Sequence, residues 1–140
     1  MLVDTNVWSE LSRPRPDARV RHWFAANLSA CMLSSIVVAE MRYGVALADG
    51  VRREKLEAFV ADLLIRFADR IIDFDVAAAG IWGPLRARLQ RAGTLIGERD
   101  MLIAAQALAR GVPLVTRNVS DMARTDAVIV KDRKSTRLNS

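Results

Sequence analysis

Four carboxylates in this 140-residue chain stand where chemistry could be done: Asp4, Glu40, Asp100 and Asp121. Asp4 closes the apolar run Met1-Leu2-Val3. Glu40 lies four residues after Ile36 and three after Val37, so on a helix it shares a face with apolar side chains. Asp100 opens a helical stripe continued by Ile103, Ala104, Ala107 and Leu108. Asp121 lies just beyond Pro113-Leu114-Val115, in the segment Thr116-Arg117-Asn118-Val119-Ser120-Asp121. Each acid has an ordinary structural explanation. Asp4 suits a helix N-cap, Glu40 an ion pair with a nearby arginine such as Arg42, and Asp121 a turn. Asp100 suits the first turn of a helix, where the dipole welcomes an acid, although Glu98, off the stripe, suits that role better. The set says more than its members. Three acids follow successive sheet elements at one end, and the fourth heads a helix entering that end. Carboxylates packed together repel and cannot all stay ionised. A hard divalent cation, Mg²⁺ or Mn²⁺, removes that penalty and prefers oxygen ligands.

The elements that must position these acids are legible as alternating apolar runs and helical periodicities. Met1–Val3 reads as a buried strand, and Val7–Leu11 as a short helix ended near Pro14 and Pro16. Asp17 caps a helix reaching Leu28, and Cys31–Leu33 reads as a second strand. Ser34 or Ser35 caps a helix running to about Asp49. After Gly50, a helix over Val51–Phe67 places Leu56, Phe59, Val60, Leu63 and Leu64 at helical spacing. Arg70–Phe74 reads as a third strand, and Asp75 caps a helix through about Arg91, with Gly93 just past its end. Gly97–Arg110 is a further helix closed by Gly111, and Pro113–Val115 and Ala127–Val130 are the last two strands. Short apolar strands alternating with helices predict an α/β sandwich with a mostly parallel sheet. In such sheets ligands bind beyond the carboxyl ends of the strands.

Composition narrows the functional classes. The length suits one domain, and 51% hydrophobic residues are enough to bury a core. No window of 18 uninterrupted apolar residues occurs, which argues against a membrane span. Asp4 and the lack of a basic start argue against a secretory signal, so a cytoplasmic protein is expected. Cys31 is the only cysteine and His22 the only histidine, which excludes thiolate zinc sites, multi-histidine metal sites and an intrachain disulfide. His22 is given no role. The net charge of +5 points to an anionic partner, but without residues 131–140 the chain holds 17 basic and 15 acidic residues. Charge is therefore weak evidence of nucleic-acid binding. Residues 1–131 are expected to form the domain, and 132–140 a disordered or non-native tail. Trp8, Trp23 and Trp82 are expected in cores or interfaces rather than stacked on bases. Apolar faces between Ser35 and Phe67 could receive a partner helix or a second subunit.

Taken in order, four motifs carry a family resemblance. They are Leu2-Val3-Asp4-Thr5-Asn6; Ser34-Ser35-Ile36-Val37-Val38-Ala39-Glu40 with Tyr43-Gly44; Asp100-Met101-Leu102-Ile103-Ala104-Ala105; and Leu114-Val115-Thr116-Arg117-Asn118 with Asp121. The set, spread over residues 1 to about 130, resembles PIN-domain proteins of the VapC toxin type. The resemblance implies a three-layer, PIN-like fold whose five-stranded sheet has the order 3-2-1-4-5. It also implies a metal-dependent endoribonuclease, the toxin of a toxin–antitoxin pair, in a dimeric assembly with its antitoxin. By position, Asp4, Glu40 and Asp100 match the core metal-binding acids, Asp121 a less constant fourth, and Asn6 and Thr116 the polar residues supporting them. The expected reaction is hydrolysis of RNA phosphodiester bonds by a metal-activated water. Asp4 and Asp100 would hold the principal ion, Glu40 and Asp121 acting through water or a second ion. Arg99 or Arg117 is a candidate contact for the RNA backbone.

Other classes fare less well. A non-catalytic RNA- or antitoxin-binding regulatory module on the same fold is the main alternative, and the presence of all four acids speaks against it. A receiver-type phosphoacceptor wants an acidic pair after the first strand, and a dehalogenase-like phosphatase wants Asp-x-Asp there. Asp4-Thr5-Asn6 supplies neither. No glycine-rich phosphate loop follows any strand.

Overall fold

The computed structural model describes residues 1–130. The expected tail, 132–140, lies outside the described residues. Four two-residue strands are separated by helices: β1 (Leu2–Val3), β2 (Leu33–Ser34), β3 (Ile71–Ile72) and β4 (Leu114–Val115). The helices are α1 (Thr5–Leu11), α2 (Ala18–Asn27), α3 (Ser35–Leu47), α4 (Gly50–Arg66), α5 (Val76–Arg91), α6 (Glu98–Arg110) and α7 (Val119–Met122). A 3-10 turn over Leu28–Ala30 joins α2 to β2.

Local chemistry accounts for most boundaries. Side-chain oxygens of Asp17, Ser34 and Asp75 accept the N–H groups of Arg19, Ile36 and Ala78 at 2.8, 3.0 and 2.9 Å, capping α2, α3 and α5 as expected. Gly111 ends α6 in the left-handed conformation, φ 65°, which a residue without Cβ adopts freely. Two helix boundaries differ from expectation by two residues and others by one. Helix α1 starts at Thr5 because Asp4 itself is the cap. Helix α3 stops at Leu47, since Ala48 is already extended.

The strands depart further. β1 pairs with β4 and β2 with β3, both in parallel, as two separate two-stranded sheets. Single parallel bridges, Leu2 with Met32 and Leu114 with Ile129, connect the rest. A continuous five-stranded sheet is not what the structure records. The fifth strand expected over Ala127–Val130 is reduced to a bridge, held by Leu114 N–H to the Val128 carbonyl at 2.8 Å and Val130 N–H to the Leu114 carbonyl at 3.0 Å. Regular pairing is brief because each run bends into a helix or turn almost at once.

The core lies around these strands. Leu2, Val3, Leu33 and Leu114 are fully buried. Trp8 packs at 4.7 Å from Phe24 and edge-on at 5.2 Å from Phe67, and its indole N–H donates to the Val3 carbonyl at 3.2 Å. Trp8 and Trp23 are thus core residues, and Trp82 packs against the core half-buried. A polar tie crosses this interior. Fully buried Gln106 of α6 accepts from the Ser34 hydroxyl and donates to the Ile72 carbonyl at 3.2 Å, joining α6 to β2 and β3. Helix α5 packs on α6, α3 on α4, and α1 against both α2 and α3. No helix among the described residues is long and apolar enough to cross a membrane.

Candidate active site

Pairing of β1 with β4 carries the chain to its first acid: the Asp4 N–H donates to the Val115 carbonyl at 2.8 Å. Asp4 is only 1% exposed. Its Oδ1 accepts the Thr5 N–H at 2.7 Å, and its Oδ2 accepts the Thr116 hydroxyl at 2.8 Å. Burial pushes the Asp4 carboxyl above its ordinary value of 3.8; the bonds from Thr116 and Thr5 oppose the shift, Asp100 adds to it and Arg99 opposes it.

Asp100 sits in the first turn of α6 and is likewise buried. Its Oδ2 accepts from the Asn118 side-chain amide at 2.8 Å. Its Oδ1 is buried with no hydrogen-bond partner. The Arg99 guanidinium stands 3.8 Å from that oxygen, an ion-pair contact beyond hydrogen-bond reach. Glu40, midway along α3, accepts the Thr5 hydroxyl at 2.6 Å through Oε1 and pairs through Oε2 with Arg99. The arginine facing Glu40 is thus Arg99 rather than Arg42. Asp121, in α7, accepts from the Asn118 amide at 3.3 Å and lies 3.7 Å from Arg124.

These contacts close a ring. Asp4 leads through Thr116 to Asn118, which takes its N–H to the Thr116 hydroxyl at 3.0 Å and its amide to Asp100. Asp100 faces Arg99, Arg99 pairs with Glu40, and Glu40 returns through Thr5 to Asp4. The structure therefore brings Asp4, Glu40 and Asp100 together and hangs Asp121 on the edge through Asn118. The Asn6 side-chain oxygen accepts the Arg117 N–H at 3.2 Å, between Thr116 and Asn118 in the chain, steadying the exit of β4. Arg117 pairs with buried Glu10 at 3.0 Å.

Two bridging residues carry no assigned role in the sequence reading, Thr5 and Asn118. Their signal was adjacency alone, Thr5 following Asp4 and Asn118 standing three residues before Asp121. Among the described residues, no group of three or more His, Cys, Asp or Glu side chains is set to hold a metal as it stands. The donor chemistry nevertheless fits a hard cation. Two buried carboxylates act on one another, all the donors are oxygens, and Asp100 Oδ1 is a buried carboxylate oxygen without a hydrogen-bond donor.

The PIN domain family model matches residues 1–128. The chain belongs to the PIN-domain family. This PIN domain is 40% identical to the plasmid stability protein StbB of Pseudomonas syringae pv. tomato, over 84% of the chain and 87% of that protein. It is 35% identical to the VapC ribonuclease Y4jK of Sinorhizobium fredii, over 86% and 88% of the two chains. It is 36% identical to the toxin FitB of Neisseria gonorrhoeae, over 92% and 95%. Among solved structures, FitAcB from Neisseria gonorrhoeae superposes with a TM-score of 0.84 at 36% identity, covering 91% of this chain and 94% of that one. DNA-bound VapBC from Salmonella typhimurium does so with a TM-score of 0.81 at 31% identity, covering 94% and 96%.

Proposed function

We propose that this PIN domain is a metal-dependent endoribonuclease, the toxin of a toxin–antitoxin pair, hydrolysing RNA phosphodiester bonds. One observation carries the reading: Asp4 and Asp100 are both buried and act on one another electrostatically, and Asp100 keeps an oxygen without a hydrogen-bond partner. Relatives named VapC ribonuclease, toxin FitB and tRNA(fMet)-specific endonuclease support it.

Asp4 and Asp100 are the residues to hold Mg²⁺ or Mn²⁺, with Glu40 and Asp121 contributing through water or a second ion. When bound, such a cation supplies a water acidified toward neutrality and counter-charge for the phosphate. The chain's own part is orientation. Thr116 fixes one Asp4 oxygen and the Thr5 N–H the other, while Asn118 holds Asp100 and Asp121 in a fixed relation. Burial keeps bulk water from screening the two acids. The two sheet ladders and the bridges between them support one sheet in the order 3-2-1-4-5, whose carboxyl edge carries the site. We further place the protein in the cytoplasm with its RNA, as a homodimer bound to an antitoxin. The FitAB and VapBC assemblies among its structural neighbours support the antitoxin, and exposed Tyr43, Leu47 and Val51 on α3 and α4 offer apolar surface for a subunit contact.

The test is cleavage of a mixed tRNA, rRNA and mRNA pool by purified protein in Mg²⁺, in Mn²⁺ and in EDTA. Cleavage with either metal, none in EDTA and none by Asp4→Asn is the expected result. RNA binding without cleavage in any condition would favour the regulatory-module alternative.

A further inference from the structure

Arg99 occupies an unusual place for a cation. It lies in the first turn of α6, where the helix dipole disfavours positive charge. Two carboxylates hold it there, and a third acts on it electrostatically. Nη1 pairs with Glu40 Oε2, Nη2 stands 3.8 Å from Asp100 Oδ1, and the Asp4 charge acts on it as well. Asp100 Oδ1 is the same oxygen that lacks a hydrogen-bond partner. The guanidinium thus faces two of the four acids assigned to the metal, and a divalent ion beside it would meet a like charge. Arg99 also has a way out: its side chain is 55% exposed, against 19% for Glu40 and 8% for Asp100.

We propose that Arg99 is a built-in counter-ion that holds Glu40 and Asp100 until a divalent cation displaces it into solvent. This rests on the metal-dependent reading above and adds a competition that the reading does not require. It makes Arg99 a gate on metal occupancy rather than a fixed part of the site. Its removal strengthens metal binding, whereas a phosphate-binding arginine would leave metal binding unchanged.

The experiment is Mn²⁺ titration of the RNA-free protein, followed by electron paramagnetic resonance of free Mn²⁺ and by calorimetry. Wild type, R99Q, R99K and D4N are compared, with Tm as a check on folding. The expected result is that R99Q binds Mn²⁺ about tenfold more tightly or better, because a repelling charge has gone. R99K, which keeps the charge, stays near wild type, and D4N loses binding. Equal or weaker Mn²⁺ affinity in R99Q, with D4N still defective, overturns the competition while leaving the metal site standing. No binding by wild type and R99Q alike, or binding that D4N leaves intact, overturns both.

Discussion

Asp4 has two jobs that pull in opposite directions. As a cap it fits α1 well, through its bond from the Thr5 N–H. As a buried anion near Asp100 it costs the metal-free fold, which is why its carboxyl is raised above 3.8. Below that value Asp4 is protonated folded or unfolded, and the cost vanishes. Above the raised folded value the cost is complete. Asp4→Asn is therefore expected to raise the Tm of metal-free protein at neutral pH. The difference from wild type shrinks to nothing as pH falls below the ordinary aspartate range, measured by thermal melts across pH in EDTA. The Thr116 hydroxyl donates to Asp4 and accepts from the Asn118 N–H, which suits it to position Asp4 for a metal. Thr116→Val keeps the shape and removes the hydroxyl, and about a 10- to 100-fold loss of Mn²⁺ affinity is expected. Unchanged affinity in a titration would deny Thr116 its positioning role.

The elements succeed or fail as positioners according to their caps and ties. Gln106 anchors α6, and so Asp100, to the ends of β2 and β3. Gln106→Leu leaves the Ser34 hydroxyl and the Ile72 carbonyl buried with a partner lost, at a cost of about 1–3 kcal/mol in urea unfolding. The helices were legible because Asp17, Ser34 and Asp75 stand directly before apolar-periodic runs, and capping oxygens act over one turn. Helix α7 was not. Asn118, Ser120 and Asp121 favour turns, and a four-residue helix has no periodicity to reveal it. The strand runs were visible as apolar segments, but their pairing shrank to two residues and bridges. Hydrogen-bond reach depends on neighbours that no local pattern encodes. The Gln106 tie was equally hidden, since a glutamine within a helical stripe looks no different from a solvated one.

At the scale of the molecule, the site depends on crossovers that bring remote segments to one edge. The Thr116 hydroxyl reaches Asp4 from 112 positions away, and the Arg99 guanidinium reaches Glu40 from 59. The order of the acids relative to strands made this convergence readable, because parallel crossovers return successive strand ends to one side. The finer wiring through Thr5, Asn118 and Arg99 was not readable. It is set by side-chain directions once the helices pack. Overall charge contributes little, for Arg99 and Arg117 are both engaged by carboxylates. Activity of the proposed kind requires a cation seated between buried acids. Crystals grown with Mn²⁺ and measured at the manganese absorption edge test that most directly. We expect an anomalous peak in coordination contact with Asp4 and Asp100, with Arg99 moved off Glu40. A map with manganese bound elsewhere and these carboxylates bare would contradict it.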